Sequence, residues 1–121
     1  MGVPVKMLIL NTKNPEDVAK IYPWLNPTGT MTRMEVATDL YRRLKDEPED
    51  TLLLVAINRN ITRAVYAACM TRGRRRCVSV LQAQAEEEFR CGDLIETGIK
   101  DWARSKKARE IKYIDGERVK L

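Results

Sequence analysis

The sequence predicts an α+β domain in which one long helix, over 86–108, packs across a mixed, mostly antiparallel sheet of about five strands. Three observations carry this prediction. Residues 51–83 switch from helical to extended patterning and hold three apolar runs separated by turn-forming residues. Beyond Glu86, the residues Cys91, Ile95, Ile99 and Trp102 recur at spacings of four, four and three, which lines them up on one helix face. The chain's 121 residues, 44% hydrophobic and 32% charged, suit one folding unit over 1–121 rather than a disordered or fibrous chain.

The elements follow in order. Val3 to Leu10 is apolar apart from Lys6 and reads as a first strand, closed by the turn-forming Asn11-Thr12-Lys13-Asn14-Pro15. Asn14 before Pro15 starts a short helix, with Glu16 and Asp17 in its first turn, Val18, Ile21, Tyr22 and Leu25 on one face, and a stop near Pro23. Thr32 and Glu35 have capping-box spacing for a second helix, whose apolar positions are Met34, Ala37, Leu40, Tyr41 and Leu44. Thr51 to Asn58 is apolar almost throughout, as a strand covered on both faces would be. Asn58-Arg59-Asn60 turns the chain into a second strand, Ile61 to Thr71, and Gly73 allows a turn before Cys77 to Ala83 returns, which makes an antiparallel meander. Glu86-Glu87-Glu88 marks the start of the long helix, since carboxylates favour a helix N-terminus. Glu110 to Asp115 is a last short strand, with Asp115-Gly116 as a turn.

Composition narrows the function classes. Residues 1–50 carry seven basic and eight acidic side chains, whereas residues 51–121 carry fifteen and nine, so the +5 net charge resides in the second half. Arg72, Arg74, Arg75 and Arg76 form its sharpest cluster, and Arg104, Lys106, Lys107 and Arg109 form another; either could meet an anion. The longest apolar run, Leu52 to Ile57, falls far short of the roughly 20 residues that span a bilayer, and no secretory layout opens the chain, so a cytoplasmic protein without membrane contact is expected. Cys69, Cys77 and Cys91 lack CxxC spacing and no histidine is present, so no metal site is expected and reduced thiols are. Without histidine, triad hydrolysis is disfavoured.

The order strand, two helices, three strands, long helix, strand resembles the GNAT superfamily of acetyl-CoA-dependent N-acetyltransferases over about residues 3–115. Leu94 to Ile111, with Gly98, Trp102 and the basic turn at 104–109, looks like that family's signature helix and following strand. The resemblance implies a GNAT-like topology, and a loop before the helix whose bare amides hold the pyrophosphate of acetyl-CoA. In the family that loop reads Arg/Gln-x-x-Gly-x-Gly/Ala. Here Glu87 and Arg90 stand at the leading polar and first glycine positions and only Gly92 matches, so a degenerate loop is expected, in a domain truncated before the helix and strands that the family normally adds after this last strand. The family's cofactor-binding positions fall on Arg90, Cys91, Gly92 and Asp93, and Gln82 and Gln84 lie on the strand that would face the acyl arm.

Three readings of function follow. One is a GNAT-like domain that acts by binding rather than catalysis, as a bacterial or phage accessory protein. A second is an atypical active N-acetyltransferase using acetyl-CoA. The third is a basic module that associates weakly with nucleic acid through Arg72, Arg74, Arg75 and Arg76. A sheet that stops at its last strand leaves an edge, which either pairs with a second copy to give a homodimer or is guarded by Lys112, Arg118 and Lys120. Tyr22, Trp24, Tyr41, Tyr66 and Trp102 are expected in the core, Tyr113 on an edge strand, and Glu35, Asp39, Asp93 and Glu96 on wetted helix faces.

Overall fold

A computed structural model describes residues 8–71, 76–86 and 92–121. Six strands form one mixed sheet in the order β1-β2-β3-β4-β5-β6. They are β1 (Leu8–Asn11), β2 (Thr51–Asn58), β3 (Ile61–Thr71), β4 (Cys77–Ala85), β5 (Glu110–Lys112) and β6 (Arg118–Lys120). All neighbours are antiparallel except β4 and β5, which run parallel and are joined through α3 (Gly92–Ser105). The other helices, α1 (Asp17–Lys20) and α2 (Arg33–Asp46), lie between β1 and β2, and a 3-10 turn, Tyr22–Trp24, follows α1.

The apolar run of β2 is explained by a cover on both faces. Leu52, Leu54 and Ala56 pack with Ala64, Ala68 and Val78 beneath Ile95, Ile99 and Ala103 of α3. Leu53 and Val55 point the other way and pack with Val65 and Ala67 against Val18, Ile21, Leu25, Val36, Leu40 and Leu44. Side chains of a strand alternate between faces, so a strand under helices on both sides must be apolar at every position. Alanines on β3 let α3 approach the sheet closely: a Cβ on Gly98 would meet Leu54 Cδ1 at 3.4 Å.

Local signals are realised in detail. Thr32 Oγ1 accepts from the Glu35 amide at 3.2 Å and Glu35 Oε1 accepts from the Thr32 amide at 3.1 Å, which completes the capping box of α2. The two-residue turn between β2 and β3 holds Arg59 and Asn60 at φ 51° and 62°, the left-handed pair that suits a tight hairpin.

Several expectations are corrected. The sheet has a sixth strand, because the turn at Asp115-Gly116, with Gly116 at φ 90°, folds Arg118–Lys120 back onto β5. Glu86 itself is not helical: its amide donates to the Arg63 carbonyl at 2.9 Å and its carboxylate pairs with Arg63 at 2.9 Å, which continues the pairing of β4 with β3 by one residue. Glu87 and Glu88 lie outside the described residues. Residues 106–108 are a C-cap, in which the Ala108 amide reaches the Ala103 carbonyl and Lys107 takes φ 58°. Met34 and Tyr41, 62% and 38% exposed, flank the buried stripe of α2 instead of joining it. Asp39 is not simply solvated, since Arg42 and Arg43 each bond it at 2.8 Å. Tyr113 follows β5, which β6 covers, so it is not on an edge.

Candidate functional site

The site is created where two parallel strands part. β4 and β5 pair over Cys77–Ser79 and Glu110–Lys112 only. β4 then continues to Ala85, while the chain leaves β5 at Tyr113, whose amide and carbonyl enter the hairpin to β6. From Val80 onward, β4 therefore has β3 on one side and no strand on the other among the described residues. The described part of α3 starts with Gly92 at this same end of the sheet, since helix and strand run in opposite directions across the crossover. The result is a wedge with the free edge of β4 as one wall, the end of β5 as the other, and α3 over it.

A bulge sets the direction of the β4 side chains. Ala68 is opposite Val80 and Ala67 is opposite Gln82, so Leu81 is the extra residue. Leu81 packs into the cluster under α1 and α2, and Gln82 faces the same side. Gln82 is 4% exposed, and both ends of its amide are engaged. Its Oε1 accepts from the Asn26 amide at 2.8 Å and its Nε2 donates to the Asn26 carbonyl at 3.0 Å. Gln84 Oε1 accepts from Asn26 Nδ2 at 2.9 Å. The two glutamines are thus brought together, by the loop that follows the 3-10 turn. Gly92 and the backbone of Asp93 form the first turn of α3 as described, while Arg90 and Cys91 lie outside the described residues. Of the arginine cluster, Arg72, Arg74 and Arg75 also lie outside them, and Arg76 donates to the Lys106 carbonyl at 3.3 Å.

Tyr113 and Glu96 form a pair across the two elements. The Tyr113 hydroxyl donates to Glu96 Oε1 at 3.0 Å, from the end of β5 to α3, at the wall of the wedge. Burial and the adjacent carboxylate push this phenol up to about 12. The sequence offered no signal for it, because the partners are 17 residues apart on different elements. Other concavities are found among the described residues. An open apolar groove of about 440 Å³ runs between α1 and α2, over Val18, Tyr22, Met34, Ala37 and Tyr41, with the Arg33 guanidinium 5.8 Å from the Tyr22 ring centre. A polar one of about 390 Å³, at the opposite end of the sheet from the wedge, is bounded by Asn11, Lys13, Trp102 and Lys106. Among the described residues, no group of three carboxylates and thiols stands close enough to hold a metal ion. No helix there is long and apolar enough to cross a membrane.

No protein-family model matches the chain, and no curated protein matches it in sequence. Solved structures do match in fold. An aminoglycoside N-acetyltransferase, AAC(6')-Iy, in complex with CoA superposes with a TM-score of 0.70 at 11% identity, over 93% of this chain and 79% of that one. An acetyltransferase of the GNAT family from Streptococcus pneumoniae gives 0.67 at 13% identity, over 89% and 73%. A predicted acetyltransferase from Clostridium acetobutylicum, solved with acetyl-CoA, gives 0.65 at 10% identity, over 90% and 80%.

Proposed function

We propose that this chain, which has the fold of the GNAT acetyltransferases, binds an acyl-CoA in the wedge between β4 and β5 and passes the acyl group to an amine. The observation that carries the reading is the parting of β4 from β5 after Ser79. A strand edge without a strand neighbour offers amides and carbonyls in a row, and a pantetheine arm, with two amides of its own, is the kind of extended ligand that adds to such an edge. Structures of the same fold that hold CoA and acetyl-CoA support it. The amides at the start of α3, including that of Gly92, would face the pyrophosphate. Carboxylates near a pyrophosphate would repel it, and the charge of Glu86, which follows β4, is offset by its pairing with Arg63 at 2.9 Å. An acyl-CoA supplies a thioester carbonyl open to attack by an amine. Tyr113 keeps its proton across the neutral range and so holds at Oη the proton that a departing thiolate needs.

A second reading, binding without turnover, is favoured by the loop sequence, in which Arg90 stands where a close approach of backbone to phosphate calls for glycine. Calorimetric titration with acetyl-CoA, joined to a thiol-release assay against a panel of primary amines, separates the two. Micromolar binding lost in Gly92→Val, with thiol release that falls in Tyr113→Phe at unchanged KM, supports transfer. Binding without thiol release supports the second reading. No heat with acetyl-CoA or CoA overturns both.

A further inference from the structure

The fold brings Arg76 and the basic turn at 106–109 together at the end of the sheet remote from the wedge. Arg76 donates to the Lys106 carbonyl across 30 positions of chain, and the Arg109 amide donates to the Arg76 carbonyl at 2.9 Å. Lys107 projects from the left-handed C-cap between them. Lys13 arrives from the loop after β1 and is fixed there, donating to the carbonyls of Pro48 and Thr51 at 2.9 Å each. An ammonium has three donors, so one remains beyond these two. Burial and the nearby positive charge of Lys106 hold Lys13 below the ordinary lysine range, which marks two like charges kept close together. Lys13, Lys106 and the indole of Trp102 border the same concavity of about 390 Å³, large enough for one planar base. Among the described residues, opposing charge near this surface includes Glu49 on the rim, Asp101, which is paired with Arg104 at 3.6 Å, and Glu110, which is paired with Arg118 at 3.0 Å.

We propose that this end of the domain binds single-stranded nucleic acid, with phosphates on Arg76, Lys106, Lys107 and Arg109 and a base against Trp102 beside Lys13. The cations alone would suit any polyanion; the indole set among them is what fits a base, because every base has a face that stacks on an aromatic ring. The proposal does not depend on acyl-CoA binding, since the two sites lie at opposite ends of α3.

The test uses the full chain with Trp24→Phe, which leaves Trp102 as the one tryptophan. It is titrated with a single-stranded oligonucleotide of about ten nucleotides, and in parallel with inorganic polyphosphate and a duplex. The oligonucleotide should quench Trp102 and polyphosphate should not. Log affinity should fall against log salt by about 0.7 per phosphate contact, so Lys106→Gln with Lys107→Gln should flatten the slope by about 1.4, and the corresponding arginine variants should restore it. If Trp24→Phe fails to fold, Trp102→Phe in the otherwise unchanged chain replaces it, and the quench must then disappear. Equal affinity for polyphosphate without any quench by the oligonucleotide overturns the proposal, as does preference for the duplex or a slope that the double variant leaves unchanged.

Discussion

Replacing Gln82 by methionine keeps the length and flexibility of the side chain and removes its amide. Two hydrogen bonds to the Asn26 backbone disappear. Each is worth about 1 kcal/mol net, and a backbone group left dry would cost 1–3 kcal/mol instead. Asn26 is itself exposed, so water can reach its freed amide and carbonyl, and the loss should stay near the lower figure. About 1.5 kcal/mol is expected, allowing for the better burial of a thioether than of an amide. With an unfolding entropy of about 2.1 cal/mol/K per residue, a chain of 121 residues should lose about 6 °C in Tm. Urea melts should show a lower midpoint at unchanged m, and the Asn26 amide should exchange its hydrogen faster than its neighbours do. Affinity for acetyl-CoA should not change beyond the loss of folded protein. A destabilisation under about 0.5 kcal/mol, with Asn26 exchange unaltered, would refute the view that Gln82 serves to hold this loop. So would normal stability coupled to lost acetyl-CoA binding.

Other consequences are as specific. Thr32→Ala removes the capping box and should cost about 1 kcal/mol, read from urea melts. Gly98→Ala should stabilise by about 0.5–1 kcal/mol, because alanine is the better helix former and its methyl would meet only the tip of Leu54 at 3.4 Å; destabilisation would mean that α3 cannot shift on β2. Absorbance titration of tyrosinate should show one of the four tyrosines ionising near 12, and Glu96→Gln should bring it down. A phenol raised in the fold above its unfolded value of about 10 favours the folded state below that pH, so stability should decline as pH climbs from about 10 to 12, less so in Glu96→Gln.

Legibility in the sequence tracked the range of the interaction. The bounds of β2 and β3 and the capping box of α2 rest on neighbours within a few residues, and each stands where the pattern put it. β6 escaped notice because three residues, two of them charged, carry no period. Glu86 is ambiguous in the sequence because a carboxylate suits a helix start as well as a strand end, and its partner, Arg63, is 23 positions away. The resemblance places Gln82 and Gln84 toward an acyl arm, yet their partner, Asn26, is brought close only by the finished fold. The Leu81 bulge, which turns them toward that loop, depends on register with β3 and has no local mark.

The spatial order of the six strands is the order in which they are made. Each strand that leaves the ribosome finds its neighbour already synthesised, and none has to insert between two strands that have paired. Synthesis at about 5–20 residues per second gives the first four strands seconds to zip together before the remainder appears, far longer than the microseconds that a hairpin requires. The late step is the return of α3 with β5, the one connection that must cross over the sheet before a parallel pair can close. Until it does, the face formed by Leu52, Leu54, Val78 and Val80 stays open to water. A nascent chain stalled at that stage would present the apolar surface that chaperones capture, and substitutions that weaken the seating of Ile95 and Ile99 should reduce the yield of protein from cells more than they reduce the stability of molecules that have already folded.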